Sequence, residues 1–188
     1  QCYYSSGFQD SAIITHDGFG NGFSYHSGLV LYGENNHLYP LSPNHLSIGT
    51  LYKSVAIMLN LGGFGEGKLM GLAPYGKPNF FNQDFVENWF GVGRRFNKSD
   101  QLRLWKEYCY NTAKNMGYDM GALGDQDKIT DPINADIAAS TQKLFEECYL
   151  YTVQMSHSLL IKSGINTNNL CITGGTALNC PSNSKIYN

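Results

Sequence analysis

Charge is scarce in this sequence: Asp, Glu, Lys and Arg make up 15% of 188 residues, and thirteen basic against fifteen acidic side chains leave a net charge of −2. With no basic stripe and no run of like charge, little is available to neutralise nucleic-acid phosphates or an anionic lipid surface, and neither is expected as a partner. Long apolar runs are missing as well. No stretch approaches the roughly 18 residues of a membrane span, and Gln1-Cys2-Tyr3-Tyr4 is unlike a signal peptide. The cysteines, at positions 2, 109, 148, 171 and 180, are odd in number and free of CxxC spacing. Neither a disulfide framework nor a zinc site is indicated, and a reducing cytoplasm is the expected setting. His26, His37, His45 and His157 lack HxxxH or HExxH spacing, which excludes a self-contained histidine metal site.

Glycine is plentiful: twenty-one of 188 residues, about 11% against an average near 7%. With 42% hydrophobic residues the length suits one globular domain, and the glycines predict many tight turns or close backbone approaches. Ser11 to Thr15 reads as a buried strand that runs straight into His16-Asp17-Gly18-Phe19-Gly20-Asn21-Gly22. A loosely alternating stretch, Phe23 to Tyr32, precedes the turn Gly33-Glu34-Asn35-Asn36, which returns the chain through His37 to Pro40. Three successive strands are expected.

From Ser47, taken as N-cap, Ile48, Leu51, Tyr52, Val55, Ile57, Met58, Leu59 and Leu61 follow a helix period, with Gly62 as the stop. Gly62 to Pro78 reads as a glycine-dense loop, followed by weaker helical pieces over Asp84 to Phe90 and Asp100 to Asn115. Asp131-Pro132 opens a long helix ending near Ser163-Gly164, with Ile133, Ile137, Thr141, Leu144, Phe145, Cys148, Tyr151, Met155 and Leu159 on its core face. Asn169 to Thr173, Gly174-Gly175-Thr176 and Ala177-Leu178-Asn179 then read as strand, double glycine and helix start. The mixture predicts an α/β domain. Because the chain begins without Met and stops at Lys185-Ile186-Tyr187-Asn188 inside a helical stretch, it is expected to be a piece of a longer protein.

Three segments could carry chemistry. The turns at Asp17-Gly18-Phe19-Gly20 and Gly174-Gly175-Thr176-Ala177 could offer backbone N–H groups to a phosphate, or could simply mark close packing. Asp17 could bind a metal ion or orient a hydroxyl, or could bond its own turn. His16 next to it should point to the opposite face and be structural. In Gly65-Glu66-Gly67-Lys68-Leu69-Met70-Gly71-Leu72-Ala73-Pro74-Tyr75-Gly76, Lys68 could neutralise a phosphate and Glu66 accept from a ribose or amine, or the two could form a solvated pair. Leu69 breaks the Walker A requirement. Cys171 and Cys180 read as small buried residues.

Taken together, Ile13 to Gly20, Gly65 to Gly76, and Gly174-Gly175-Thr176-Ala177-Leu178-Asn179-Cys180 resemble the O-carbamoyltransferase family of nodulation-factor and antibiotic biosynthesis. The resemblance implies an actin-like, sugar-kinase-like ATPase fold, of which residues 1–188 would be an incomplete part of the N-terminal catalytic domain, lacking the smaller C-terminal adenylating domain. That smaller domain makes carbamoyl adenylate from carbamoyl phosphate and ATP, and the larger one passes the carbamoyl group to a hydroxyl of a small-molecule or sugar acceptor. By the same resemblance, Asp17 helps to hold an iron-type ion (Fe2+), and Gly18, Phe19 and Gly20 lie along the carbamoyl adenylate. Glu66, Gly67, Lys68, Gly174, Gly175 and Asn179 face the nucleotide. The family's HxxxH pair and second aspartate are not among these residues, Asn21 stands where Glu is common, and His16 replaces an apolar residue. Other readings are a threonylcarbamoyl transfer to tRNA and a non-catalytic nucleotide-binding module; the lack of a basic surface argues against the former.

Overall fold

The computed structural model describes residues 1–18, 27–44, 48–89 and 98–187, which fall into two compact units. The first comprises Gln1–Gly49 and Tyr149–Asn188, the second Thr50–Cys148.

In the first unit a short helix α1 (Cys2–Ser6), absent from the sequence reading, ends on Gly7 in the left-handed conformation at φ 78°. Next come β1 (Asp10–Thr15), β2 (Gly28–Glu34) and β3 (His37–Asn44); a later strand, β4 (Leu170–Thr173), completes a sheet of order β3-β2-β1-β4. β1 runs antiparallel to β2 and parallel to β4. The three expected strands are therefore present, although β2 begins at Gly28 and residues 23–26 of the expected strand lie outside the described residues.

Alternation explains why β1 is an unbroken apolar run. Ile13 (4% exposed) packs with Tyr3 and Cys171 on one face, while Ile14 (0%) points to the other, so both faces are covered. The β2–β3 connection is the two-residue turn Asn35-Asn36, with φ 47° and 66°. Positive φ at both central residues matches the right-handed twist of the strands it joins, and asparagine tolerates it. β3 carries Pro40 and Pro43 and pairs only with β2, as proline requires of an edge strand.

The second unit holds most of α2 (Ile48–Met58), then α3 (Glu66–Leu72), α4 (Gln83–Trp89), α5 (Lys98–Asn115) and the first half of α6 (Pro132–Lys162). Its core includes Leu51, Val55, Leu59, Leu69, Phe80, Trp105, Ile137 and Leu144. Trp105, fully buried, satisfies its indole N–H on Thr141 Oγ1 at 3.2 Å. Ser47, the expected N-cap of α2, lies outside the described residues. The helix stops earlier than Gly62, because Asn60 takes the left-handed conformation at φ 56° and Leu61 N–H closes onto Ala56 O at 2.9 Å.

Two sequence expectations need correction. Gly62 to Pro78 is not a loop throughout: α3 and a 3-10 turn (Ala73–Tyr75) occupy most of it, held by the burial of Leu69 and Leu72. On α6 the expected core positions Tyr151 and Met155 are 40% and 53% exposed, and Thr152, Ser156 and Leu160 are buried instead. Small hydroxyl side chains can take that face because they satisfy themselves on the helix, as Ser156 Oγ does by donating to Thr152 O at 2.7 Å. The helix ends as expected, with Gly164 at φ 74° and Ile165 N–H bonded to Leu160 O at 3.0 Å. No helix among the described residues is long and apolar enough to cross a membrane.

Candidate functional site

The parallel ladder between β1 and β4 runs on past the strands: His16 N–H donates to Thr173 O at 2.8 Å, and Thr176 Oγ1 donates back to His16 O at 2.8 Å. These bonds hold the end of β1 against the double-glycine turn. Glycines close around it from several directions. A Cβ on Gly28 would stand 1.8 Å from Thr15 O, one on Gly174 2.0 Å from His16 O, one on Gly49 2.9 Å from Gly18 N, and one on Gly175 2.9 Å from Asp17 Oδ1. Only at Gly174, with φ 102°, does the backbone conformation add its own demand for glycine. Elsewhere the requirement is contact: β2, the first turn of α2 and the β4 turn all approach the backbone of Thr15 to Gly18.

Within this sheath Asp17 is exposed and its Oδ1 accepts the Gly18 N–H at 2.7 Å. His16 is fully buried, its ring 5.4 Å from that of Tyr149, so the two neighbours point to opposite faces as strand geometry predicts. Burial pushes the Tyr149 phenol up to about 12. Gly174 and Gly175 are exposed, and their N–H groups have no acceptor among the described residues. Two amide donors without an acceptor therefore lie at this turn, and Gly175 stands against the Asp17 carboxylate.

Behind the turn the chain differs from expectation. A 3-10 turn (Gly175–Leu178) intervenes, and the α-helix, α7 (Cys180–Tyr187), starts only at Cys180. Asn179, buried, caps that helix by accepting Ser182 N–H at 3.1 Å and Ser182 Oγ–H at 2.8 Å. Cys180 is exposed rather than buried, while Cys171 is buried as expected.

In the second unit, Glu66 lies in the first turn of α3 and Lys68 two residues on. Residues at that spacing on a helix diverge, and the solvated pair considered from sequence does not form. Among the described residues neither makes an ion pair or side-chain hydrogen bond. Lys68 and Gly67 are exposed, and nothing stands within 4 Å of where a Cβ on Gly67 or Gly71 would be. The fold itself makes no use of these two glycines.

Of the residues singled out from sequence, then, the first unit brings Asp17, Gly18, Gly174 and Gly175 together, with Asn179 engaged behind them. Glu66, Gly67 and Lys68 share one helix of the second unit. Phe19 and Gly20 lie outside the described residues, as do His26 and His45. Gly28 and Gly49 were not singled out, since only spatial proximity to β1 distinguishes them from other glycines. As a metal centre the described residues are incomplete: Asp17 supplies a carboxylate, but no group of three His, Cys, Asp or Glu side chains could hold an ion among them. A surface cavity of about 470 Å³, lined by residues such as Ile57, Lys106, Tyr110 and Leu123, includes none of the candidate residues.

Comparison with known proteins reaches the whole chain. The family model described as Carbamoyltransferase N-terminus matches residues 1–188. Nodulation protein NolNO of Sinorhizobium fredii is 30% identical over 196 residues, which cover 96% of this chain and 24% of the relative. Nodulation protein NolO of Bradyrhizobium diazoefficiens is 27% identical over 186 residues, 96% of this chain and 30% of the relative. An uncharacterized protein of Synechocystis is 29% identical over 205 residues, 98% of this chain and 29% of the relative. The chain thus spans between 24% and 30% of the length of these relatives.

Proposed function

The chain belongs to the carbamoyltransferase family, and from that premise we propose that it forms part of a catalytic domain that transfers a carbamoyl group from carbamoyl adenylate to a hydroxyl of a small-molecule or sugar acceptor. The adenylate would be made from carbamoyl phosphate and ATP by a further domain, and the complete domain would have the actin-like ATPase fold. The mixed order β3-β2-β1-β4, with β4 parallel to β1 and leading into the Gly174-Gly175 turn, supports that fold.

The observation that carries the proposal is the exposed turn Gly174-Gly175, whose amides have no acceptor among the described residues and whose Gly175 stands against the Asp17 carboxylate. Free amides at a glycine turn suit an anion such as the adenylate phosphate. A carboxylate at the same place would repel that anion unless a cation lay between them, which is the physical case for an iron-type ion held in part by Asp17. Such an ion, when bound, would polarise the carbamoyl carbonyl. The chain's own groups bind and orient. In the first unit Gly174 and Gly175 N–H groups would hold a phosphate while Gly18 N–H fixes the Asp17 carboxylate; in the second, Lys68 and Glu66 on α3 would face a nucleotide, with Gly67 allowing close approach. In the transfer the acceptor oxygen bonds to the carbamoyl carbon, the carbon–oxygen bond to the phosphate breaks, AMP departs, and the hydroxyl proton is lost.

The test uses the full-length protein with carbamoyl phosphate, ATP and a hydroxyl acceptor. Asp17→Ala should lower carbamoyl transfer by at least about 10²-fold, the scale of losing one transition-state-stabilising group, and leave pyrophosphate release by the adenylation half-reaction unchanged. Transfer at the wild-type rate would remove Asp17 from the mechanism.

A further inference from the structure

Asp136, near the start of α6, is 6% exposed, and no cation pairs with it among the described residues. A buried carboxylate without a cation is costly unless hydrogen bonds replace its water. Three donors do so: Lys77 N–H on Oδ1 at 2.8 Å, and Asn79 Nδ2–H and Tyr118 O–H on Oδ2 at 2.7 and 2.6 Å. Asn79 Nδ2 also donates to the Tyr118 oxygen at 3.1 Å, which closes a ring of three side chains. One helical turn further along α6, Ser140 Oγ accepts Phe80 N–H at 3.0 Å while donating to Asp136 O at 2.7 Å.

Gly76 completes the docking. It lies so close to α6 that a Cβ would stand 2.1 Å from Ala135 O and 2.6 Å from Asp136 N. Gly76 to Phe80 is therefore fastened to one face of α6 by two side chains at i and i+4 and by a contact only glycine permits. This stretch is the direct continuation of α3 and its 3-10 turn. Two of the three donors on Asp136, the Lys77 amide and the Asn79 side chain, belong to it.

We propose that Asp136 is a positioning residue: by gripping Lys77 and Asn79 it fixes the segment leaving α3, and so sets where Glu66, Gly67 and Lys68 stand toward a nucleotide phosphate. The inference rests on the reading of α3 given above. A carboxylate is needed because three donors converge, whereas the Asn amide offers one acceptor and, on its other side, a donor facing donors.

The experiment is a double-mutant cycle in the full-length protein. Its readout is the inhibition constant of AMP against carbamoyl transfer, with pyrophosphate release followed as a separate control. Lys68→Ala and Asp136→Asn should each raise that constant about tenfold, the scale on which residues remote from a ligand modulate its affinity, and leave pyrophosphate release unchanged. In the Lys68→Ala background Asp136→Asn should raise the constant by clearly less than about tenfold, because part of its effect runs through Lys68. A lowered Tm with an unchanged inhibition constant, or effects that simply add, would make Asp136 a purely structural residue and overturn the proposal. An inhibition constant unmoved by Lys68→Ala would instead sink the nucleotide reading of α3. If Asp136→Asn does not fold, Tyr118→Phe removes one of the three donors and carries the same cycle with a smaller rise expected.

Discussion

Side chains that are missing define the candidate site as much as those present. At Gly174, alanine would meet both a left-handed backbone and the His16 carbonyl 2.0 Å from its Cβ. Gly174→Ala should destabilise the protein by about 2–4 kcal/mol, from strain and overpacking together, seen as a lower urea midpoint. Gly67→Ala is the opposite case. With open space around it on a helix, alanine should stabilise by about 0.5–1 kcal/mol, and transfer should nonetheless fall if a ligand comes close to that backbone. Cys109 and Cys148 are fully buried, and burial pushes both thiols far above their ordinary range. In the unfolded chain they ionise near pH 8.5, about where a free thiol does. Their stabilising contribution is therefore whole below that pH and is lost as pH rises above it. Urea midpoints measured from pH 7 to 10 should fall with pH, and less steeply in Cys109→Ala.

Which elements could be read from sequence depended on whether one signal dominated. β1 and α2 were legible from their apolar patterns, and α6 because periodicity, an Asp131-Pro132 start and a Gly164 stop pointed the same way, whereas α5 gave only a weak helical signal. α3 was read as loop because its glycines outweighed Leu69 and Leu72, the two side chains whose burial holds it. The second half of α6 misled for a different reason: hydropathy favoured Tyr151 and Met155, whereas the buried face takes Thr152 and Ser156. Met155→Lys should accordingly change stability by no more than about 0.5 kcal/mol, and Ser156→Leu should cost about 1–3 kcal/mol by overpacking, as thermal melts would show. At the site, Asp17 and the double glycine were legible as a motif. Gly28, Gly49 and Asp136 were not, since each acts through neighbours distant in sequence.

For the whole molecule, α6 is the long element whose residues divide between the two units, at Cys148 and Tyr149, as α2 does near its start. A proline just past that division, Leu150→Pro, should cost about 3 kcal/mol or more and speed hydrogen exchange in β4 as well as in α5; exchange raised in one unit alone would show that the helix does not link their stabilities. The parallel pairing of β1 with β4 has a consequence in time. His16 and Thr176 are bonded across 160 residues of chain. At roughly 5–20 residues per second, a ribosome needs about 8–30 s to make the intervening chain, and for that interval β1 has an unpaired edge. The turn that faces Asp17 is synthesised well after it, so a nascent chain has the aspartate long before it has a site.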